Sequence, residues 1–225
     1  MVALALAALL WVVVHVGVAG TRLRDEIAGR LGDGGFRGAF SIMSVIAIAL
    51  LVLAYNRAPY DKLWVAPAVL RWVLAVVMLG AFVLFGCAVL IRSPTAIGGE
   101  SELAAEPRGI LRVTRHPMLN SFAIWAAVHV LGNGDVASVL FFGAFLVTAA
   151  AGMPSIDAKL AARTGPAFQR LAARTSIIPF GAIASGRNRL VVGEIGWQGV
   201  LLGVVLWAVL LASHRWIFGV SPLAG

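Results

Sequence analysis

Residues 66–91 read APAVLRWVLAVVMLGAFVLFGCAVLI, an apolar run that a single charged residue, Arg71, interrupts. A helix needs about 20 apolar residues to cross a membrane. Lipid offers the backbone no hydrogen-bond partners, so only helices and closed barrels span it. A continuous rather than an alternating run indicates a helix. The stretch therefore predicts a transmembrane helix.

Five further apolar runs have the same character, and they cover residues 1–19, 39–55, 118–131, 136–153 and 195–213. The chain is 60% hydrophobic and 12% charged, with a mean hydropathy of +0.94, whereas soluble domains are about a quarter charged. No linker or low-complexity tract divides it. We therefore predict an all-α, polytopic membrane bundle of about six transmembrane helices, forming a single domain over residues 1–225. The first run has no basic residue before it, so we expect a retained helix rather than a cleaved signal peptide.

The basic residues lie on alternate connecting segments. Fourteen of the eighteen Lys and Arg residues fall in 20–38, 92–117 and 154–194. By the positive-inside rule these segments face the cytoplasm, so both termini are predicted on the non-cytoplasmic face of a bacterial inner membrane. The net charge of +8 is then explained by topology and by attraction to the lipid bilayer, and it argues against a nucleic-acid partner.

The third basic segment contains SIDAKLAARTGPAFQRLAARTS, residues 155–176. Its apolar residues recur at helical spacing, and Gly165-Pro166 separates two stretches. We predict two short amphipathic helices at the cytoplasmic surface. Their arginines, including Arg174, either anchor the helices to lipid or form a basic rim that receives anionic groups, and both interpretations stay open.

Two of the four histidines lie inside apolar runs, where ionisable residues are costly and mark functional sites. Residues 11–15 read WVVVH and residues 125–129 read WAAVH, so each histidine follows a tryptophan by one helical turn on the same face. A flat aromatic ring beside an imidazole suits the wall of a flat apolar ligand. We predict b-type haem, with His15 and His129 as metal ligands and with Trp11 and Trp125 beside it. A helix–helix hydrogen bond is the plainer explanation of each histidine.

Zinc is a weaker prediction, because no third ligand lies at comparable depth. The single cysteine, Cys87, is expected to be a small apolar filler. The proposed topology also places His15 toward the cytoplasmic end of its helix and His129 toward the opposite end. They differ by about 10 Å along the membrane normal. Two other pairings therefore stay open: His15 with His116, and His129 with His214.

The segment RVTRHPMLNSFAIWAAVHVLGNGD, residues 112–135, resembles the NnrU family of bacterial integral membrane proteins. Further matching pieces follow in order along the chain, and they are DAKL at 157–160, TSIIPFGAI at 175–183, GR at 186–187, His214 and SP at 221–222. The resemblance covers essentially the whole chain.

This resemblance implies a function in denitrification, in the expression or activity of nitrite and nitric oxide reductases. Zeta-carotene isomerase of plants and cyanobacteria is in the same family, which implies haem-dependent cis–trans isomerisation of an apolar polyene. The family's two proposed haem histidines match His15 and His129. The isomerase has a cysteine three residues before the second histidine, and this chain has Ala126 there. The residues expected near the haem propionates, or in contact with the cofactor, are Arg112, Arg115, His116 and Arg174.

Two alternatives remain. The chain is also similar to membrane methyltransferases of the isoprenylcysteine type, which carry an RHP motif; Asp157 and Arg174 then complete an S-adenosylmethionine site. Those enzymes usually have an aromatic residue two positions after the proline, where this chain has Leu119. The other alternative is an assembly or sensing partner that binds no cofactor.

Overall fold

The computed structural model describes residues 1–96 and 98–223. The predicted domain, 1–225, also includes residues 97, 224 and 225, which lie outside the described residues. The described residues are helical, with no strand beyond one isolated bridge. The α-helices are Val2–Val12 (α1), Leu23–Asn56 (α2), Ala68–Leu90 (α3), Ile110–Val113 (α4), Pro117–Asn133 (α5), Val136–Thr164 (α6), Pro166–Arg174 (α7), Gly181–Ala184 (α8) and Trp197–Phe218 (α9). A π-helical segment, Val13–Val18, continues α1, and 3₁₀ turns cover Glu100–Ala104 and Val192–Glu194.

Four of these helices are long and apolar enough to cross a membrane, where the sequence predicted about six; they are α2, α3, α6 and α9. The helix Val2–Val18 is apolar but shorter than the four. The helix α5 has 17 residues and carries polar side chains such as Asn120 and Asn133 along its length. A helix of that length reaches about 26 Å, less than the hydrocarbon core of about 30 Å.

The long helices and the two shorter apolar ones pack side by side in the order α2, α1, α6, α5, α3, α9. The helices α1 and α6 run in the same direction: Trp11 contacts Phe145, and the Gly20 carbonyl after α1 accepts a hydrogen bond from Ser155 further along α6. The helices α5 and α6 run in opposite directions, because Asn133 binds Ser138 near the loop that joins them. This order brings both Trp–His segments against α6.

One end of the bundle is closed by the segment 57–67, which docks on the turn between α5 and α6. The backbone amides of Leu63 and Trp64 donate to the carbonyl of Gly134 at 2.8 and 3.0 Å. Gly134 has φ of 70°, and a Cβ there would lie 2.3 Å from the Trp64 carbonyl oxygen, so only glycine fits. Met1 packs near this end, and the basic segments 92–117 and 165–194 lie at the other. Which of the two ends faces the cytoplasm stays a prediction from the charge pattern.

The contact between α3 and α9 depends on glycines. A Cβ at Gly86 would lie 2.3 Å from the Gly199 carbonyl oxygen, and one at Gly203 would lie 2.4 Å from the Phe82 carbonyl oxygen. Gly199 and Gly203 are four residues apart and so share one face of α9. Small residues at this spacing let transmembrane helices approach closely.

The amphipathic helix α7 forms where it was predicted, and Pro166 occupies its first turn. Its apolar residues Phe168 and Leu171 pack with Leu160 and Leu103 in one buried cluster. The other predicted short helix is instead the end of α6, which continues to Thr164 before Gly165 stops it.

Candidate functional site

The first Trp–His segment lies where α1 becomes π-helical. His15 is within the π-helical turn Val13–Val18, a distortion often found at functional sites. Its Nδ1 lies 2.9 Å from the Trp11 carbonyl oxygen, and since a carbonyl only accepts, Nδ1 is the donor. This fixes the proton on Nδ1 and leaves the lone pair on Nε2. The Ser44 hydroxyl lies 3.4 Å from Nε2, and the imidazole lies against the Trp11 ring, with centroids 3.9 Å apart and planes tilted by 30°.

The end of this segment is held by α6. Ser155 donates to the Gly20 carbonyl at 2.9 Å, and Lys159 donates to the Ala19 carbonyl. These bonds satisfy carbonyls that a helix terminus otherwise leaves without partners. They fix the end of the π-helical turn and, with it, the position of His15.

The second Trp–His segment, on α5, repeats this hydrogen-bond pattern. His129 Nδ1 donates to the Trp125 carbonyl at 2.8 Å, so its Nε2 also carries the lone pair. Within the described residues, no hydrogen bond involves this Nε2. The imidazole stacks on Phe142 of α6, with centroids 4.5 Å apart and an interplanar angle of 17°.

Phe145 of α6 joins the two segments. Its ring centroid lies 4.8 Å from that of Trp11 and 5.4 Å from that of Trp125. The Trp11 indole Nε1 is buried and is the only such side-chain atom without an acceptor among the described residues. An unpaired buried donor is costly unless something supplies an acceptor. The aromatic cluster is thus complete except for a polar partner at Trp11.

The two histidines lie at different depths. Both tryptophans are level with Phe145, but α1 and α5 run in opposite directions along α6. Each histidine follows its tryptophan by four residues, so the two diverge by eight residues, or about 12 Å of helix rise. This agrees with the offset expected from the sequence.

The donor chemistry of each histidine fits haem iron, but the imidazoles lie at levels about 12 Å apart, so both reach one iron only if α1 and α5 shift along α6. Metal-binding histidines usually present one nitrogen and donate the other N–H to a carbonyl, as both histidines do. No group of three or more His, Cys, Asp or Glu residues that could hold a metal occurs in 1–96 and 98–223. The unpaired Trp11 N–H also fits a bound group that brings an acceptor of its own. Of the other two candidates, His116 enters a different network, whereas His214 is near enough to His129 for their charges to interact. His214 Nδ1 donates to the Val220 carbonyl at 2.8 Å, and the pairing of His129 with His214 therefore stays open.

That network is a buried cluster at the start of α5. Arg115 Nε donates to both carboxylate oxygens of Asp157 at 3.0 Å, and its Nη2 donates to Oδ2 at 2.5 Å. His116 Nε2 lies 2.8 Å from Asp157 Oδ1, and its side chain is 1% exposed. In the sequence these residues belong to two distant motifs, RHP at 115–117 and DAKL at 157–160. Their juxtaposition shows that the two motifs form one site that joins α5 to α6.

The polar residues around this cluster tie it to segment 175–177. Thr114 donates to the Ile177 carbonyl at 2.8 Å, and Asn120 donates to the same carbonyl at 2.9 Å. The Arg115 amide donates to the Ser176 carbonyl at 3.1 Å. The motifs RHP, DAKL and TSIIPFGAI are therefore parts of one packed junction.

Arg112 is also paired within the chain. Its Nε and Nη2 bind the two carboxylate oxygens of Glu194 at 2.7 and 3.1 Å, and its Nη1 donates to Asn188. The hydrogen bond from Arg112, with a second from the Gly109 amide, lowers the pKa of Glu194 to about 2. The pKa of Arg112 is raised, chiefly by its hydrogen bond to Glu194.

Arg174 pairs with Glu106, and both side chains are exposed. Each arginine that was predicted near haem propionates thus has a carboxylate partner of its own, at the basic end of the bundle. The structure brings together Trp11, His15, Trp125 and His129 around α6, and it places Arg112, Arg115, His116 and Arg174 outside that cluster. Asp157 and Arg174, on which the methyltransferase alternative depends, have different partners. Cys87 is buried against Gly199.

Sequence reasoning missed three features of the site. Phe142 and Phe145 belong to an apolar run that does not mark them as aromatic partners of the histidines. The π-helical turn has no simple sequence signature. The bond between His116 and Asp157 spans 41 positions, a distance at which motifs carry no pairing information.

Comparison with known proteins places these observations in a family. A family model described as NnrU protein matches residues 3–222. Relatives named 15-cis-zeta-carotene isomerase, chloroplastic, from Zea mays and Arabidopsis thaliana, are each 29% identical, over 197 and 195 residues. The matches cover 84% of this chain and 52% of each relative, so the chain spans about half the length of the curated relatives it matches. No solved structure matches this chain.

Proposed function

Because this chain belongs to the NnrU family, we propose that it is a membrane isomerase of an apolar polyene, with b-type haem held by His15 and His129. The observation that carries the proposal is the repeated Trp–His unit. In both units a tryptophan carbonyl fixes Nδ1 as the donor. The Nε2 lone pair of His129 is then left for a ligand, and that of His15 becomes available when the Ser44 hydroxyl moves away. The plant relatives named for an isomerase support the polyene substrate.

The side chains around the histidines suit such a substrate. Trp11, Trp125, Phe142 and Phe145 present aromatic faces, which bind a flat conjugated chain through dispersion and burial. A polyene dissolved in the bilayer reaches this aromatic cluster without crossing water. The binding side chains are thus apolar, and they exclude water from the double bond.

Each residue has a defined task in this proposal. When bound, haem would supply an iron centre to which a double bond could donate electron density once one of the two histidines has left the iron, and this would lower the barrier to rotation. His15 and His129 hold the group, and Trp11 and Trp125 orient the two imidazoles through their carbonyls. Cis–trans isomerisation transfers no proton, so the aromatic cluster needs neither a general acid nor a general base.

The haem is tested by absorption spectroscopy of protein purified from haem-replete cells. We expect a low-spin Soret band that shifts on reduction with dithionite. His15→Ala and His129→Ala should each remove the low-spin spectrum, whereas the control His214→Ala should retain it. A protein without a Soret band contradicts the cofactor, and a spectrum that only His214→Ala removes contradicts the assignment of the ligands.

The activity is tested in cells that accumulate 15-cis-zeta-carotene, the compound for which the plant relatives are named. Expression of this chain should increase the trans isomer, measured by chromatography. His129→Ala should abolish the increase at equal protein level. Unchanged isomer ratios with the wild-type protein would argue against this substrate.

A further inference from the structure

A cleft of about 330 Å³ opens at the basic end of the bundle, away from the Trp–His units. Four arginines line it: Arg112, Arg174, Arg187 and Arg189. They come from α4, α7 and the segment after α8, so the fold collects charges that are up to 77 positions apart. The proposed isomerase function uses none of them.

Two of the four guanidinium charges have no carboxylate partner among the described residues. Glu194 neutralises Arg112, and Glu106 pairs with Arg174. Arg187 donates only to neutral oxygens: its Nε binds the Ser185 hydroxyl, and its Nη1 binds the carbonyls at the end of α7, which belong to Ala172, Ala173 and Thr175. The side chain of Arg189 forms no ion pair in 1–96 or 98–223. The cleft therefore carries excess positive charge.

Glu106 is a weak competitor for an anion. The Arg174–Glu106 pair is exposed, with 58% and 64% of the two side chains accessible, and exposed pairs contribute little. An incoming anion can replace Glu106 at small cost. Arg187, in contrast, is held in place by its three carbonyl bonds. A fixed guanidinium loses little conformational entropy when it binds an anion.

A second cavity, of about 360 Å³, adjoins the cleft, and the two share Glu106 and Pro107. Its lining is more apolar than polar, although it also includes the charged residues Arg92, Glu102, Arg108 and Glu194. Apolar side chains of the cavity include Leu90, Ile91 and Leu111. Leu90 and Ile91 lie at the end of the membrane helix α3 and are 55% and 37% exposed. The cavity thus lies where the hydrocarbon layer is expected to begin.

We propose that the cleft and the cavity together bind a phosphate-bearing amphiphile, an anionic phospholipid. Arginine forks match phosphate oxygens and form charge-assisted hydrogen bonds with them. The headgroup phosphate binds Arg174, Arg187 and Arg189, and one acyl chain lies against Leu90, Ile91 and Leu111. This site is separate from the histidines and does not depend on the proposed isomerase activity.

The test is calorimetric titration of the detergent-solubilised full chain in 0.15 M salt, at about the physiological Debye length of 8 Å. The probes are dihexanoyl phosphatidylglycerol, dihexanoyl phosphatidylcholine and glycerol 3-phosphate. We expect phosphatidylglycerol to bind most tightly. The double variant Arg174→Gln/Arg189→Gln should raise its Kd at least tenfold.

A matched control removes the same charge outside the cleft. Arg163 pairs with Glu100 at the surface much as Arg174 pairs with Glu106, and Arg170 is an exposed residue of α7. Arg163→Gln/Arg170→Gln should change the Kd less than twofold. Thermal unfolding midpoints of all variants establish that each is folded.

The outcomes separate the sources of the phosphate. Glycerol 3-phosphate could bind as tightly as phosphatidylglycerol, with the cleft variant weakening both. That result would support an anion site in the cleft and would overturn the proposal that its ligand is a lipid. If phosphatidylcholine binds as tightly as phosphatidylglycerol, or if the control variant weakens binding equally, the site itself is overturned.

Discussion

At the scale of single residues, Asp157 connects two helices through its buried carboxylate. It accepts hydrogen bonds from Arg115 and from His116, and so it joins the start of α5 to the end of α6. The side chains of Asp157 and Arg115 are 12% and 11% exposed. Such a pair is costly to break, because the partner left behind is a buried, uncompensated charge.

We therefore expect Asp157→Asn to destabilise the protein by about 3–5 kcal/mol, since an amide cannot neutralise Arg115. The measurement is the free energy of unfolding in detergent. The control is Asp33→Asn, which removes an exposed partner of Arg24 and should cost less than about 1 kcal/mol. Equal stability of Asp157→Asn and wild type would show that the cluster does not hold α5 to α6.

Glu194 gives a prediction of pH dependence. Arg112 lowers its pKa from 4.5 to about 2, so the folded state binds the proton less readily than the unfolded state. The stabilisation from the pair is complete above pH 4.5 and is lost as the pH falls toward 2. The difference in unfolding temperature between wild type and Glu194→Gln should therefore be constant from pH 8 to 5 and should shrink below 4.5. A difference that persists at pH 2 would contradict the ion pair.

At the scale of helices, a substitution at the α3–α9 contact tests whether the glycines determine how closely the two helices pack. Gly203→Ala puts a Cβ 2.4 Å from the Phe82 carbonyl oxygen, so α9 must move away from α3. We expect a loss of about 1–3 kcal/mol, the usual cost of overpacking. Gly80→Ala is the control, because a Cβ at Gly80 meets nothing within 4 Å. It should be neutral or slightly stabilising, since alanine favours helix. If both variants unfold at the same temperature, the close approach does not limit stability.

The helices also show what a sequence can and cannot predict. The run at residues 66–91 gave α3 nearly to the residue, because hydropathy and length alone decide it. The repeated WxxxH spacing placed Trp and His on one face of α1 and α5, because i and i+4 meet on any helix. The predicted number of about six membrane-spanning helices was wrong. One reason is that α5 has only 17 residues and ends at the left-handed turn of Gly134. The contacts of Phe145 with both tryptophans depend on which helices pack against α6, and the sequence of α6 alone does not predict its neighbours.

At the scale of the whole molecule, the row of helices separates the two regions for which we propose functions. The Trp–His cluster lies on α1, α5 and α6, while the RHP junction and the basic cleft lie at the end formed by 92–117 and 165–194. The clustering of charge at one end and the aromatic–histidine contacts within the bundle are thus separate features of one fold. A variant of the cleft should leave the haem spectrum unchanged, and the two proposals can fail separately.

The orientation of the molecule in the membrane can be tested by labelling thiols at its two ends. The segment 57–67 and the basic segment around α7 lie at opposite ends of the bundle, and the charge pattern predicts that α7 faces the cytoplasm. A Cys87→Ala background removes the single thiol, and Lys62→Cys and Arg170→Cys then introduce one exposed thiol at each end. In intact spheroplasts a membrane-impermeant maleimide should label Lys62→Cys at once and Arg170→Cys only after permeabilisation. The Cys87→Ala parent is the unlabelled control. Labelling of Arg170→Cys in intact spheroplasts, with Lys62→Cys protected, would reverse the topology and place both termini in the cytoplasm.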